Sequence, residues 1–318
     1  MEKTPTAARS AVKPKIPLIK QRGFRLFLCI TPFIVLVFLL NYVPLYYWSY
    51  SFFNYKPGIP VTWDRFVGLD NFTRIVADKY ALQELGQVLL NTFGISFLSI
   101  LALPLPMFFA IFLSELKANP FKKTVQTLTT IPNFISWVLV YSVAYAMFSV
   151  GDGFVNRLLV QSGLVTDGIN FLASPNHVWI TMMGYYIWKT LGWSSIMYFA
   201  AMANIDPALS EAARVDGAGR WACIRHIIIP GLLPTLFVLF VLNVSNFVNY
   251  GMEQFYVFQN AMNKEHIQVL DLYVYNQGIR GSNASYSIAI GILKSAVSLV
   301  LLFAANGLSK LVRKESVL

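Results

Sequence analysis

Six runs of about 20 apolar residues, separated by short polar segments, limit the fold of this chain more than any other feature. A run of this length crosses the hydrocarbon core of a bilayer as a helix, because about 20 residues rising 1.5 Å each span about 30 Å. Only 13% of the 318 residues are charged and 56% are hydrophobic, whereas about 25% charge is typical of soluble domains. The alternating segments of about ten residues that a membrane barrel needs are absent from the sequence. The sequence therefore predicts an all-α polytopic membrane protein.

The six predicted membrane spans cover about residues 26–48, 88–113, 131–148, 178–203, 232–257 and 286–308. An even number of spans places both termini on one side of the membrane. The segments on that side include a basic tail at 1–25, an insert at 206–230 and a tail at 309–318, and they carry most of the lysines and arginines outside the spans. Since cytoplasmic loops are enriched in these residues, we expect both termini to be cytoplasmic and residues 26–308 to form the transmembrane domain.

The net charge of +10 is explained by this bias and by contact with anionic lipid headgroups, so it does not indicate a nucleic-acid partner. The apolar run after the basic tail is too long for a cleavable signal, and we expect the first span itself to direct insertion. Cys29 and Cys223 lie far apart, one in a span and one in the insert, and predict neither a disulfide nor a metal site.

Residues that carry chemistry in enzymes are sparse. The three histidines, His177, His226 and His266, lack the spacing of metal ligands, and paired carboxylates and nucleophile motifs are absent from the sequence. The phosphate-binding loop G-x-x-x-x-G-K-[ST] is absent as well, so ATP would have to be bound by another chain. The sequence predicts no catalytic residue, no metal and no cofactor in this chain.

The insert at 206–230 contains charged residues and glycines between two apolar runs, and its first half has the signals of a capped helix. Asp206 can accept hydrogen bonds from free backbone N–H groups, and Pro207 suits the first helical position because it has no N–H. We expect this helix to run from Ala208 to Val215, and Gly217 to end it in the left-handed conformation.

A second helix is predicted from about Arg220 to Ile229, with Trp221, Ile224 and Ile228 on one face. Pro230 is expected to end it, because the residue before a proline avoids the helical conformation. Two short helices of this kind fit a docking element for a soluble partner, but they equally fit an amphipathic connector lying on the headgroups.

The insert resembles the EAA motif of bacterial ABC-importer permeases, whose pattern is E-A-A-x-x-x-G, nine residues, then I-x-L-P. Glu211, Ala212, Ala213 and Gly217 match the first part, and Ile227 to Pro230 match the second, with Ile229 in place of leucine. The resemblance implies that a cytoplasmic two-helix coupling loop docks on an ATPase subunit. The residues that it assigns to this contact are Glu211, Ala212, Ala213, Arg214, Asp216 and Gly217.

Further stretches extend the resemblance over most of residues 25–312. FVGLDNF after the first span, IPNFISW at the start of the third and IWKTLGW in the fourth are similar to sugar-importer permeases. NYGMEQFYVF, DLYVYNQGI and YSIAIGILKS are similar to the LplB-type polysaccharide permeases, which are related to the maltose and alginate importer permeases. The resemblance implies a permease of the bacterial inner membrane that forms a heterodimer with a second, homologous permease. It also implies two cytoplasmic ATPase subunits, which bind ATP and magnesium, and an extracytoplasmic solute-binding protein that delivers a carbohydrate.

Polar residues inside the spans are the candidates for the substrate path. Asn243, Asn246 and Tyr250 fall on one helical stripe, with Asn249 close by, and amides with aromatic rings are what a sugar site needs. The other candidates are Tyr185, Trp188, Lys189, Glu253 and Lys294. Each group has a second interpretation: hydrogen bonding between helices for the asparagines, packing for the aromatics, and pairing with a carboxylate, such as Glu253 for Lys294.

The leading hypothesis is therefore the permease subunit of a carbohydrate ABC importer, for an oligosaccharide or polysaccharide fragment. The alternative is an ion-coupled secondary transporter that acts without an ATPase, for which midplane carboxylates are typical. A membrane enzyme is disfavoured because no catalytic constellation is present in the sequence.

Overall fold

The computed structural model describes residues 22–116 and 120–313. All regular secondary structure in these ranges is helical, apart from one isolated bridge between Phe53 and Phe66, and the all-α class is confirmed. Most of the predicted N-terminal tail and the last five residues of the C-terminal tail lie outside the described residues.

The chain divides into two compact units, one up to Tyr50 and one from Ser51 onward. The first contains helix α1 (Arg22–Asn41) and most of a 3₁₀ segment at Val43–Phe52. Pro32 lies inside α1, where its missing N–H removes one hydrogen bond of the helical ladder. The stretch Leu26–Phe52 is long and apolar enough to cross a membrane.

The second unit contains the other fourteen α-helices of the described chain. Those of its first half are α2 (Asp70–Ala77), α3 (Lys79–Ala102), α4 (Leu105–Glu115), α5 (Pro120–Thr130), α6 (Trp137–Phe148) and α7 (Phe154–Gln161). Those of its second half are α8 (Val178–Ala203), α9 (Pro207–Val215), α10 (Arg220–Cys223), α11 (Ile229–Ser245), α12 (Glu253–Phe258), α13 (Lys264–Ile267), α14 (Leu270–Tyr275) and α15 (Ala284–Arg313).

Four stretches of the described chain are long and apolar enough to span a membrane: Leu26–Phe52, Lys79–Glu115, Arg220–Ser245 and Ala284–Gly307. A fifth is possible where α5, with the 3₁₀ segment Ile131–Phe134, meets α6 at an angle of 109°. Helix α8 covers the same residues as the predicted fourth span, but Lys189 and its many aromatic, glycine and serine residues make it less apolar than these four. The count of six spans remains a prediction.

The predicted stop at Pro230 is wrong. Residues 220–245 form one continuous helix, in which α10 leads through a π-helical segment, Ile224–Ile228, into α11. Pro230 lies in the first turn of α11 and lacks the N–H that would bond the carbonyl of residue 226. The wider π turn directly before the proline accommodates the missing bond, so the helix continues.

The predicted fifth span differs at its other end as well. Helix α11 stops at Ser245 rather than near residue 257, and residues 246–252 are irregular before α12 begins. Gly251 has a φ of +82° in this break, a backbone conformation that glycine adopts without strain.

Residues 253–275, of which the sequence places 253–257 at the end of the fifth span and the rest outside the membrane, form a well-buried part of the second unit. Phe255, Phe258, Ile267 and Leu272 are each at most 1% exposed and pack with residues of α3, α6 and α8. The aromatic and aliphatic residues of these short helices provide the apolar faces. This folded-back segment therefore closes the bundle on the side where α8 begins.

Candidate functional site

Helix α9 is built as the sequence predicts. The Asp206 carboxylate accepts a hydrogen bond from the Ala208 N–H at 2.9 Å, and Pro207 occupies the first turn. At the other end Gly217 has a φ of +84°. Its N–H donates to Arg214 O at 3.1 Å and the next N–H, of Ala218, donates to Ala213 O at 2.8 Å. These two bonds form a Schellman motif, which fixes where α9 ends.

The coupling residues suggested by the EAA pattern project from the surface. Glu211, Arg214 and Asp216 are exposed, and none of them forms a salt bridge within the described part of the chain. Val215 is 88% exposed. The insert therefore presents charged groups and an apolar side chain that the chain itself leaves uncovered.

A second candidate site is a cavity of about 280 Å³ at the break after α11. Its lining residues are Ser96, Ser99, Tyr186, Leu242, Asn243, Asn246, Phe247, Asn249 and Tyr250. A neighbouring cavity of about 260 Å³ shares Ser99, Tyr186 and Asn243 with it and is lined further by residues of α4 and α8. No aspartate or glutamate lines either cavity.

The four polar residues predicted near the end of span 5 meet at this cavity, although not on a continuous helical stripe. Asn243 lies on α11, Asn246 caps its end, and Asn249 and Tyr250 lie in the irregular segment. The side-chain nitrogens of Asn243 and Asn246 donate to Leu239 O and Leu242 O, at 2.9 and 3.0 Å.

The amide nitrogen of Asn249 donates to Ser298 Oγ of α15 at 2.9 Å. For the three asparagines, the structure shows no partner for the side-chain oxygen within the described chain. The Tyr250 hydroxyl is buried beside Ser99 without a well-formed hydrogen bond. The cavity thus offers amide oxygens, hydroxyl groups and aromatic faces to a ligand.

Lys189 does not face either cavity. Its ammonium donates to the carbonyl oxygens of Pro132, Asn133 and Ile135 at 3.1, 2.9 and 2.7 Å, and lies 5.5 Å from the centre of the Trp137 ring. The residue is 8% exposed. All three donors of the ammonium are used, so we correct its assignment from the substrate path to the bend between α5 and α6.

Lys294 forms a salt bridge with Asp271 rather than with Glu253. The second Asp271 oxygen accepts a hydrogen bond from the Gly251 N–H at 2.8 Å, so this carboxylate ties α15 to the break after α11. Glu253 lies exposed in the first turn of α12 and lines neither cavity.

The two aromatic candidates of α8 also lie elsewhere. Tyr185 packs on Phe258 with ring centres 5.0 Å apart, and Trp188 is 48% exposed. The opposite face of α8 supplies Trp193, which the sequence also offers as an aromatic of this span, and three cavity residues that sequence reasoning missed, namely Tyr186, Thr190 and Met197. Their spacing of four, three and four residues places them on one helical face, and this pattern could have identified them from the sequence. Ser96 and Ser99, three residues apart on α3, show the same pattern, but two residues define a helical face less clearly than four.

Comparison with known proteins identifies relatives over nearly the whole chain. This chain is 35% identical over 303 residues to the polygalacturonan/rhamnogalacturonan transport system permease protein YteP of Bacillus subtilis. The alignment covers 95% of this chain and 92% of the relative. Protein LplB of the same species is 33% identical, with 90% and 88% covered.

Solved structures give the same result. A chain of the bacterial alginate ABC transporter, in complex with an alginate pentasaccharide-bound periplasmic protein, matches with a TM-score of 0.82 and 30% identity. The match covers 94% of this chain and 98% of that one.

Residues 102–314 match the family described as the binding-protein-dependent transport system inner membrane component. The match includes the exposed insert and most of the helices around the cavity. This chain is therefore a permease subunit of an ABC importer and belongs to the binding-protein-dependent transport system inner membrane component family.

Proposed function

We propose that this permease moves an oligosaccharide or polysaccharide fragment from an extracytoplasmic solute-binding protein into the cytoplasm. The observation that carries the proposal is the cavity at the break after α11. Asn243, Asn246, Asn249 and Tyr250 supply hydrogen-bonding groups there, and Tyr186 adds an aromatic face. Amide and hydroxyl groups pair with sugar hydroxyls, and aromatic faces cover the apolar face of a sugar ring. The polysaccharide-transport names of the relatives support the same class of cargo.

The size of the cavity supports the proposal that a second chain completes the path. Its volume of about 280 Å³ is near the lower end of the range of about 300–1,000 Å³ for small-molecule sites. We infer that a second, homologous permease provides the facing wall, so that the two chains form a heterodimer. We also propose that both termini are cytoplasmic, together with the insert, because lysines and arginines concentrate in these segments.

The energy comes from two cytoplasmic ATPase subunits, which bind ATP and magnesium and dock on residues 211–217. The exposed charges of Glu211, Arg214 and Asp216, without intrachain partners in the described ranges, support this assignment. The alternative of a proton-coupled carrier predicts carboxylates along the path, as in the proton relays of pumps and transporters. The two cavities contain none, and Asp271 is already paired with Lys294.

The test is ATP-driven uptake by the complete transporter reconstituted in vesicles with its binding protein. Replacing Asn243 and Asn246 together by leucine should lower sugar uptake about thirtyfold, since two hydrogen-bonding groups are lost at about 1 kcal/mol each. Asn41→Leu is the matched control, because Asn41 makes the same type of bond, to Val37 O, on α1. Unchanged uptake in the double variant, or uptake by this chain alone in an ion gradient, would contradict the proposal.

A further inference from the structure

A second polar concavity lies away from the cavity at α11. We call it the polar trough; its volume is about 560 Å³, and it is lined by Glu84, Gln259, Lys264, Asn276, Gln277 and Arg280. An adjoining concavity of about 480 Å³ shares Glu84 and Lys264 and adds Tyr80, a second carboxylate, Glu265, and further glutamines. Such a concentration of side-chain amides is unusual in a chain that is 56% hydrophobic.

The polar trough lies on the side of the bundle opposite the ATPase-docking insert. Lys264 opens α13, and this short helix is held by Asn91 and Trp179, which donate to Glu265 O at 2.7 Å and His266 O at 3.1 Å. Trp179 is the second residue of α8, whose other end leads directly into the insert. Since 26 residues of helix rise about 39 Å, the two sites are separated by about the thickness of a membrane.

The lining of the polar trough contains hydrogen-bonding atoms without partners. Gln259 Nε2 and Asn276 Oδ1 are buried, and neither meets a partner in the described structure. The first is a donor and the second an acceptor. Leaving such atoms unpaired is unfavourable, and rotation of the two amides toward the polar trough would pair them with the hydroxyl groups of a ligand.

The cations of the polar trough outnumber its carboxylate. Lys264 and Arg280 are exposed, and within the described ranges neither forms a salt bridge. The Arg280 guanidinium is held in place by Tyr256, since it lies 5.2 Å from the ring centre and donates to the hydroxyl at 3.3 Å. Glu84 provides the single negative charge of the lining.

Tyr273 lines a third concavity together with Glu84 and Gln277. Burial raises the pKa of its phenol well above the ordinary value. Arg74 and Asp78 also line this concavity and carry opposite charges, so apart from the shared Glu84 this wall adds no net charge.

We propose that the polar trough is an outer saccharide subsite that holds a carboxylate-bearing sugar residue before the chain reaches the cavity at α11. Lys264 and Arg280 attract the carboxylate, and the amides of Gln259 and Asn276 bind hydroxyl groups. Glu84 repels the bound carboxylate and keeps the affinity of the subsite low enough for its ligand to be released. This assignment rests on the proposed carbohydrate path and specifies its substrate class as acidic.

The test compares two probes, an oligogalacturonate and the same oligosaccharide with its carboxylates methyl-esterified. Binding is measured on the complete transporter in detergent without the binding protein, so that the preference of that protein does not enter. Lys264→Gln combined with Arg280→Gln should weaken binding of the acidic probe about two- to thirtyfold, because exposed ion pairs contribute about 0.2–1 kcal/mol each. Binding of the esterified probe should not change.

Glu84→Gln supplies a test of opposite sign and should strengthen binding of the acidic probe. Damage to the fold cannot produce opposite shifts at the same site. The matched control is Lys56→Gln, since Lys56 is exposed and does not line the polar trough. Added salt should reduce the difference between the probes by screening the charges.

Two results would overturn the subsite: equal binding of the two probes by the unmodified transporter, or equal shifts for both probes in the variants. ATP-driven uptake separates this failure from failure of the proposed function. If the transporter imports sugar while the polar trough variants bind both probes normally, the subsite alone is wrong. If no sugar stimulates ATP hydrolysis or uptake, the carbohydrate path itself is wrong.

Discussion

At the scale of single residues, Lys189 shows how a charge inside an apolar helix is used for structure. Its ammonium binds three carbonyl groups at the bend before α6. Three residues further along α8, Gly192 lies so close to the Thr129 backbone that a Cβ would overlap it. The two residues together allow α8 to pack tightly on the end of α5 and to hold the bend.

Lys189→Met should lower the thermal stability of the solubilised transporter. It leaves three carbonyl oxygens without their donor, at about 1–3 kcal/mol for an unsatisfied buried group, and the shift is measured as the unfolding temperature. Lys123→Met, at an exposed cation of α5, is the control and should have no effect. Normal stability combined with lost uptake would instead show that the ammonium acts on the substrate.

The partners of Lys189 explain why its role was not predictable from the sequence. The three carbonyl groups lie 54 to 57 residues earlier in the chain, and Asp271 lies 23 residues before Lys294. A local pattern identifies a charge inside a span but does not identify what it meets. Asp206, Pro207 and Gly217 were interpreted correctly because all the signals that define α9 lie within a few residues of one another.

At the scale of elements, the break after α11 shows the same limit of prediction from local sequence patterns. Asn243, Asn246 and Tyr250 were expected on one stripe of a helix reaching residue 257. They meet at one cavity because the helix ends at Ser245 and the chain turns. Gly251, with its N–H bonded to Asp271, makes that turn possible. The residues of the cavity were predictable from their chemistry, whereas the broken helix that brings them together depends on a contact with α14.

The turn that ends α9 gives a test of coupling. Gly217→Pro should reduce sugar-stimulated ATP hydrolysis strongly while leaving membrane insertion intact, because proline cannot adopt a φ of +84° and removes the N–H that bonds Arg214 O. The readouts are ATP hydrolysis and the amount of transporter in the membrane.

Gly219→Pro is the matched control for this variant. Gly219 has a φ of −72°, which suits proline, so the end of α9 should be kept. Full coupling in Gly217→Pro would show that the geometry of this turn is irrelevant to the ATPase contact.

At the scale of the whole molecule, the insert and the polar trough lie at opposite ends of α8. One end presents residues 211–217 and the other presents Lys264 and Arg280. Such an arrangement suits a transporter that receives its cargo on one side and its energy on the other. The exposed apolar surface of α1, with Phe33 at 70% and Leu40 at 66% exposure, is suited to lipid or to a partner helix.

Labelling of single cysteines tests the orientation. In a variant with Cys29 and Cys223 replaced by serine, Ser162→Cys should react with a membrane-impermeant maleimide in intact cells. Leu209→Cys, which is at an exposed position of the insert, should react only after the membrane is opened. The reverse pattern would place the termini outside and contradict the distribution of cations.

The folded-back segment has a consequence for the synthesis and membrane insertion of the protein. Asn91 binds the backbone of residues 265 and 268, and Thr92 accepts the N–H of Leu270, across 174 to 178 residues of chain. During synthesis α3 therefore leaves the ribosome long before its polar partners exist. Until then the insertion machinery, or water held near the amide, has to satisfy these groups. A chain that ends before residue 270 would therefore leave the Asn91 amide and the Thr92 hydroxyl without these partners.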